Sequence, residues 1–328
     1  MANSARRLLL CAVVPGALAL VPAANAAGPP LPSSESGRAG VVVPGGRERL
    51  LTRPAGHDTM VVAVRRGDRS VLRSRHVPGR WSVPAVTLDS GTTGLSADGR
   101  TLVLARPTKA FPPATTRLAV LDARRLQVRR QVVLHGFYTV DAISPDGRRL
   151  FVIQYGDDVL QYRVRALDTR TGRLAARDIV DPRQAGEQMG GMPITRVMSR
   201  DARWVYTLYG GGEETFIHAL DTEGQTAACI DLDMLPPQGD VSGVRLHVSP
   251  DGRRVDVRDR DALVATVDAR TFHVSEPAVA ARARPIAQSV HAGGFPWAAL
   301  ALVAAAAGLS AAAAVIARRR LGGPTRPG

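Results

Sequence analysis

One hairpin-forming motif recurs four times in the chain, roughly every 50 residues, and it constrains the fold more than any other feature. The copies begin at Ser96, Ser144, Ser199 and Ser249 and read "SADGRTLVLA", "SPDGRRLFVI", "SRDARWVYTL" and "SPDGRRVDVR". Serine and aspartate accept backbone N–H groups in turns, and glycine adopts the left-handed conformation that closes a short hairpin. Ala202 replaces this glycine in the third copy, which predicts a differently shaped turn there. Four hairpins of common design are therefore expected.

A second turn, led by an aspartate, follows each of these strands and lies between two further strand-like segments. The second-turn aspartates are Asp122, Asp168, Asp221 and Asp268. A unit of about 50 residues with four short antiparallel strands is typical of a propeller blade. Residues Thr59 to Val86 have the same strand rhythm and are interpreted as a degenerate blade with "RERLLTR" near its start, so the sequence predicts an all-β propeller of about five blades from Gly45 to Pro277. A sixth blade would be divided between the termini, and a β-sandwich is the competing fold.

The motif "SPDGRRLFVI" followed by "ALDTRTG" resembles the repeats of TolB-type and YVTN-type bacterial β-propellers, distant relatives of WD40 rings. The resemblance extends from about Leu95 to Val274. It implies a propeller fold and leaves function open, because such propellers include scaffolds, ligand binders and a minority of enzymes.

The two ends of the chain predict export and membrane anchoring. Residues 1–26 contain two arginines, an apolar run and a final "ANA", which together predict a signal peptide. The composition of residues 27–44 predicts a Pro/Ser/Gly-rich linker. Residues 278–294 are interpreted as a juxtamembrane spacer, 295–317 as a transmembrane helix and 318–328 as a basic cytoplasmic tail. The expected location is the cell membrane, with a single pass and the N-terminal ectodomain outside; a packed alanine-rich helix is the alternative for 295–317.

The net charge of +14 comes almost entirely from arginine, Lys109 being the single lysine. This composition resembles that of a GC-rich bacterial genome more than a nucleic-acid-binding surface, so no nucleic-acid partner is expected. A basic outer surface would still attract wall polymers or anionic lipid. Cys229 alone remains after removal of the signal peptide, so no internal disulfide is expected.

Motifs of known chemistry are missing from the sequence. It contains no Gly-x-Ser-x-Gly, no His-Glu-x-x-His and no phosphate-loop Lys-Ser/Thr after its glycine-rich stretches. The expectation is a protein that is not an enzyme and has no cofactor and no metal.

Blade topology predicts two different faces. The turns marked by Asp146 and Asp168 are expected on one face, and the longer, irregular loops on the other, where binding sites usually develop. The candidate ligand-binding residues on those loops are Phe111, Phe137, Tyr138, Tyr155, Asp157, Asp158, Glu187, Tyr209, Glu213 and Glu214. Packing between blades is the slightly favoured alternative for Tyr155 and Tyr209.

The function predicted from these features is a membrane-anchored extracytoplasmic propeller that binds a protein, peptide or cell-wall polymer, or serves as a scaffold. The alternative is an extracytoplasmic hydrolase or lyase that uses the loop carboxylates.

Overall fold

The computed structural model describes residues 39–156, 161–184, 189–236 and 240–277. These ranges belong to one compact unit that ends at Pro277. The predicted signal peptide, spacer, transmembrane helix and tail lie outside the described residues, as does most of the linker. In the ranges given, no helix has the length and apolarity needed to cross a membrane.

The described ranges form five antiparallel sheets that follow one another along the sequence. The first contains β1 (Val41–Val42), β2 (Glu48–Ala55), β3 (Asp58–Arg65) and β4 (Val71–Val77), paired in sequence order. The second contains β5 (Thr101–Ala105), β6 (Thr115–Asp122) and β7 (Gln127–His135). Residues 82–95 take the place of a first strand in this sheet, through isolated bridges such as Ser82 to Ala105 and Leu95 to Leu102.

The remaining sheets repeat the same order. The third contains β8 (Tyr138–Ile143), β9 (Arg149–Tyr155), β10 (Gln161–Asp168) and β11 (Leu174–Ile179), with β12 (Met189–Gly190) also pairing with β10. The fourth contains β13 (Met192–Met198), β14 (Trp204–Gly210), β15 (Phe216–Asp221) and β16 (Thr226–Asp231). The fifth contains β17 (Val244–Val248), β18 (Arg254–Asp259), β19 (Ala262–Asp268) and β20 (Val274–Ser275). A short 3-10 helix, Pro182–Gln184, precedes β12.

Among the residues that the structure describes, four apolar clusters hold consecutive sheets together. Leu50 and Leu102 belong to the cluster between the first and second sheets, and Val103 and Val152 to that between the second and third. Phe151 and Tyr209 join the third sheet to the fourth, and another cluster joins the fourth to the fifth. Each fully buried large aliphatic or aromatic side chain contributes about 1.5–3 kcal/mol relative to an exposed one. In the described part of the chain no core cluster joins the fifth sheet to the first, so closure of the ring stays a prediction.

The first strands of the sheets converge. Leu88 and Asp89, in the segment that replaces a first strand in the second sheet, donate backbone N–H groups to Pro193 and Ile194 of β13, at 2.9 and 3.3 Å. The Asp89 carboxylate also lies 3.9 Å from Arg245 of β17. Contacts from the second sheet to the fourth and the fifth require an arrangement that curves, as propeller blades do.

The four serine turns have one geometry, which corrects the expectation for Ala202. Its φ is +57°, against +71° for Gly147 and +74° for Gly252, so all three residues adopt the left-handed conformation. The N–H of Ala202 donates to the Ser199 carbonyl at 2.9 Å, and the N–H of Gly147 donates to Ser144 at the same distance. The third turn therefore keeps the common shape, at the cost of some backbone strain.

The prediction of an all-β protein built from repeated antiparallel units is confirmed, with four strands in the first, fourth and fifth sheets, three in the second and five in the third. The degenerate blade corresponds to the first sheet: "RERLLTR" overlaps β2, and the segment from Thr59 to Val86 supplies β3 and β4 and extends into the beginning of the second sheet.

Candidate functional site: the turn face

The two turns of each sheet meet at one end of its strands, as the sequence predicted for Asp146 and Asp168. Thr169, in the second turn of the third sheet, donates its Oγ1 hydroxyl to the Gly147 carbonyl at 2.7 Å and its N–H to the Arg148 carbonyl at 2.9 Å. The second, fourth and fifth sheets contain the corresponding backbone bond. In the first sheet the N–H of Arg66, between β3 and β4, donates in the same way to the Arg47 carbonyl, between β1 and β2, at 2.9 Å. We call the surface formed by the serine turns, the second turns and these two turns of the first sheet the turn face, and the opposite surface the loop face.

Carboxylates on the turn face fix the backbone of the turns. Asp98 accepts the Ser96 hydroxyl at 2.5 Å and the N–H of Arg100 at 2.9 Å, and Asp146 accepts the Ser144 hydroxyl at 2.7 Å. In the second turns, Asp168 accepts both the N–H and the hydroxyl of Thr171, at 2.6 and 2.9 Å. These bonds occupy the carboxylates within their own turns.

The hydrogen bonds also keep the turn carboxylates ionised. The Ser199 hydroxyl lowers the pKa of Asp201, and the N–H of Thr171 lowers the pKa of Asp168. In the same way, the Ser249 hydroxyl and then the N–H of Arg253 lower the pKa of Asp251. The acids of this face therefore carry negative charge that is directed at backbone donors.

Most arginines of the turn face have no such partner. An exposed or half-exposed guanidinium without an ion pair to any carboxylate of the described residues is found at Arg47, Arg69, Arg100, Arg124, Arg125, Arg149, Arg170, Arg173, Arg253, Arg254 and Arg270. Arg203 is an exception, because it contacts Asp221 at 2.7 Å. The turns thus present cationic groups whose hydrogen-bond donors remain available to a ligand.

A cavity of about 710 Å³ opens between the first and second sheets on this face. Its charged lining consists of Arg47, Glu48, Arg73, Asp98 and Arg124, and backbone near Gly45 and Gly99 completes the wall. The volume lies in the range of small-molecule sites. Arg73 contacts Glu48 at 2.7 Å, whereas Arg47 and Arg124 are unpaired, so the cavity can accept an anion.

A smaller cavity of about 350 Å³ lies on the same face, beside the third sheet. It is lined by Arg149, Asp168, Arg173 and Gln225, together with apolar residues of β10 and β11. Arg149 and Arg173 have no carboxylate within ion-pair distance in the described ranges. The two cavities therefore share their chemistry.

The aromatic residues that the sequence assigned to a loop-face recognition surface are mostly in the core. Phe137, Tyr138, Tyr155 and Tyr209 are between 1% and 6% exposed, because their rings pack between sheets. Phe137 stacks on Tyr155 at 4.5 Å, and Phe111, which is 48% exposed, contacts Phe137 edge-on. This corrects the expectation of an exposed aromatic surface, since only Phe111 offers its ring to solvent. The packing alternative for Tyr155 and Tyr209 fits their positions.

The predicted acidic residues are divided between described and undescribed parts. Glu213 and Glu214 are exposed in the loop between β14 and β15. Asp157, Asp158 and Glu187 lie outside the described residues. The described ranges contain no group of three or more His, Cys, Asp or Glu side chains arranged for a metal ion. A ligand contact by any of these acids stays a prediction.

A buried polar cluster between the third and fourth sheets was not found by sequence reasoning. Arg196 of β13 pairs with Asp141 of β8 and donates to the Thr207 hydroxyl at 2.9 Å. His218, 1% exposed, is the cross-strand neighbour of Thr207, and burial lowers its pKa. Burial likewise raises the pKa of Tyr209 well above its usual value. No short motif marks these residues, because they come from different repeats.

Comparisons with known proteins agree with this architecture at the level of fold. No family model and no curated protein matches the chain. Among solved structures, the β-propeller domain of Cps50 (Swd1) from Myceliophteria thermophila is 12% identical, with 73% of this chain and 72% of that chain covered and a TM-score of 0.42. A putative TolB from Agrobacterium tumefaciens is 17% identical, with 72% and 78% covered and a TM-score of 0.40.

An oligogalacturonate lyase in complex with manganese also matches, at 15% identity and a TM-score of 0.45. The match covers 72% of this chain and 63% of the lyase chain, less than two thirds of it. This finding corrects the expectation that the chain is not an enzyme, because proteins similar to it include a catalyst. At these identities the likeness concerns the fold alone, and no activity is transferred from it. The chain is similar to TolB-like and WD40-like propellers.

Proposed function

We propose that the protein is an exported, membrane-anchored propeller scaffold whose turn face binds an anionic ligand, such as a cell-wall polymer. The observation that carries this proposal is the cavity between the first and second sheets, where Arg47 and Arg124 lack carboxylate partners. Arginine suits this role because its planar fork binds carboxylate or phosphate through two hydrogen bonds.

The charge distribution supports the turn face over the loop face. On the turn face arginines outnumber carboxylates, and the carboxylates are bound to their own turns. Among the described residues, the exposed and half-buried acids of the loop face include Asp58, Glu213, Glu214, Asp231, Asp233, Asp240, Asp259 and Asp261. Its exposed cations in the described ranges include Arg53, Arg80, Arg106, Lys109, Arg260 and Arg183, the last of which is paired with Asp181. An anion is therefore attracted to the turn face and not to the loop face.

The design of the turns favours binding as well. The arginines follow directly on backbone that is fixed by the aspartates, so their Cα positions are set before a ligand arrives. A preorganised site loses less conformational entropy on binding than a flexible loop does.

The proposal is tested by calorimetric titration of the purified full-length chain with inorganic tripolyphosphate at low salt. We expect saturable binding, weakened at least ~10-fold in the Arg47→Gln/Arg124→Gln variant, because two charge-assisted contacts are lost. Arg53→Gln/Arg80→Gln, which removes the same charge from exposed positions of the loop face, serves as the matched control and is expected to bind normally. Equal weakening in both variants, or no binding by the unmodified chain, would refute an anion site on the turn face.

A further inference from the structure

We infer that the ligand of the turn face is a linear, phosphate-rich polymer without bases that extends over several sheets. This inference rests on the proposed anion-binding function and narrows the class of ligand. Three features of the turn face carry it: the repetition of its arginines, its second cavity and its lack of exposed aromatic rings.

Exposed arginines recur at equivalent positions in the second, third and fifth sheets, whereas in the fourth sheet Arg203 is paired with Asp221 and Glu223 occupies the second position. The serine turns place Arg100, Arg148 and Arg253 two residues after the turn aspartate, and the second turns contribute Arg124, Arg170 and Arg270, also two residues after an aspartate. Each of these six side chains is exposed, and among them only Arg148 comes within ion-pair distance of a described carboxylate, at 3.5 Å from Asp146. A compact anion engages one such position, whereas a polymer with regularly spaced charges engages several.

The two cavities of the turn face also favour an extended ligand. One lies between the first and second sheets, and the other beside β10 and β11 of the third sheet. Each contains two arginines without a carboxylate partner, Arg47 with Arg124 and Arg149 with Arg173. One molecule can occupy both cavities only if it runs along the face between them.

The aromatic residues distinguish a plain phosphate polymer from a nucleic acid. Proteins that bind single-stranded nucleic acids combine a cationic groove with aromatic rings on which bases stack. Trp204 and Phe272 are the aromatic side chains near the described turns, and both are partly buried, packing edge-on at 5.2 Å. Arg203 covers the Trp204 ring at 5.8 Å. Phe111 has the largest exposure among the described aromatic residues, and it belongs to the loop face. The turn face thus offers charge without a stacking platform.

The experiment measures dissociation constants of the full-length chain for tripolyphosphate and for linear polyphosphates of increasing defined length. Affinity is expected to rise at least ~10-fold from tripolyphosphate to the longest chain, beyond the statistical gain from more binding registers. The Arg149→Gln/Arg173→Gln variant is expected to lose most of this gain and to keep the tripolyphosphate affinity of the first cavity. Single-stranded DNA with the same number of phosphates is expected to bind no more tightly than polyphosphate.

The outcomes separate this inference from the proposal beneath it. If tripolyphosphate binds but affinity does not grow with length, and the Arg149/Arg173 variant behaves like the unmodified chain, the extended ligand is wrong and the single anion site remains. If DNA binds more tightly than polyphosphate of equal charge, the ligand is a nucleic acid and the inference is overturned. If no polyphosphate binds at any length, both the inference and the proposed function fail.

Discussion

Arg196 of β13 donates hydrogen bonds to both the backbone carbonyl and the carboxylate of Asp141 in β8, and so links the first strands of the third and fourth sheets. Both side chains are buried, the arginine 9% and the aspartate 2% exposed. The pair lies beside Tyr209 and His218, in the interface that Phe151 and Ile153 fill with apolar surface. This buried ion pair connects two repeats that are otherwise held together mainly by apolar packing.

Replacing Arg196 with methionine should destabilise the protein by about 3–5 kcal/mol, because the Asp141 carboxylate is left buried without its partner. The measurement is urea unfolding of the full-length chain followed by circular dichroism. The double variant Asp141→Leu/Arg196→Met removes both charges and should regain most of the loss. A cost below about 1 kcal/mol for the single variant would show that the pair does not hold the interface.

His218 should make stability depend on pH below neutrality. Burial lowers its folded-state pKa below the usual 6.5, the nearby Arg196 acts in the same direction, and the carboxylates of Asp141 and Asp181 oppose them. The stabilisation associated with the neutral, buried imidazole is complete above pH 6.5. It decreases as the pH falls below that value, because the unfolded chain takes up a proton that the folded chain resists. The free energy of unfolding, measured from pH 8 to pH 5, should fall less in His218→Asn than in the unmodified chain. His57→Asn, at an exposed position, is the control, and a slope that His218→Asn leaves unchanged would contradict the prediction.

Two glycines at equivalent positions of their turns should respond differently to alanine. Gly147 and Gly252 have φ values of +71° and +74°. An added Cβ would lie 2.4 Å from Thr101 Oγ1 at Gly147, whereas nothing lies within 4 Å of it at Gly252. Gly252→Ala should therefore cost only the strain of the left-handed conformation, about 1 kcal/mol, as Ala202 already tolerates. Gly147→Ala should cost clearly more in thermal and urea unfolding, and equal costs would show that contact with the second sheet does not constrain this turn.

The serine hydroxyls of the turns should control the carboxylates beside them. Ser199 donates to Asp201 at 2.5 Å and accepts the N–H of Trp204 at 2.9 Å. Ser199→Ala should raise the pKa of Asp201 toward its ordinary value and lower stability by about 1 kcal/mol. The pKa can be measured by NMR titration of the carboxyl carbon. Ser275→Ala, in the exposed end strand β20, is the control, and an unchanged Asp201 titration would contradict the role assigned to the hydroxyl.

The repeats allowed much of the fold to be predicted because turn chemistry is local. Serine, aspartate and a left-handed residue specify their hairpin within six positions, so the strands of the later sheets and the common turn face could be predicted from sequence. The Ala202 turn was predicted wrongly because neighbouring hydrogen bonds hold the residue in a conformation that its own preference disfavours.

The site was less accessible to sequence reasoning. Tyr155 is the last residue of β9, and Phe151 and Ile153 precede it at intervals of two residues. This period of two indicates that the three side chains face the same neighbouring sheet. The same alternation supports the packing between blades that the sequence slightly favoured for Tyr155. The Asp141–Arg196 pair and both cavities arise from residues brought together by packing between sheets, for which a single sequence carries no local signal.

The most direct test of the central claim, that anions bind to the turn face, is the salt dependence of polyphosphate binding. The logarithm of the association constant should fall linearly with the logarithm of salt concentration, and each arginine that contacts a phosphate adds roughly one unit to the slope. Arg47→Gln/Arg124→Gln should reduce the slope by about two units, whereas Arg53→Gln/Arg80→Gln on the loop face should leave it unchanged. An unchanged slope in the turn-face variant, or an equal reduction in both variants, would contradict the account.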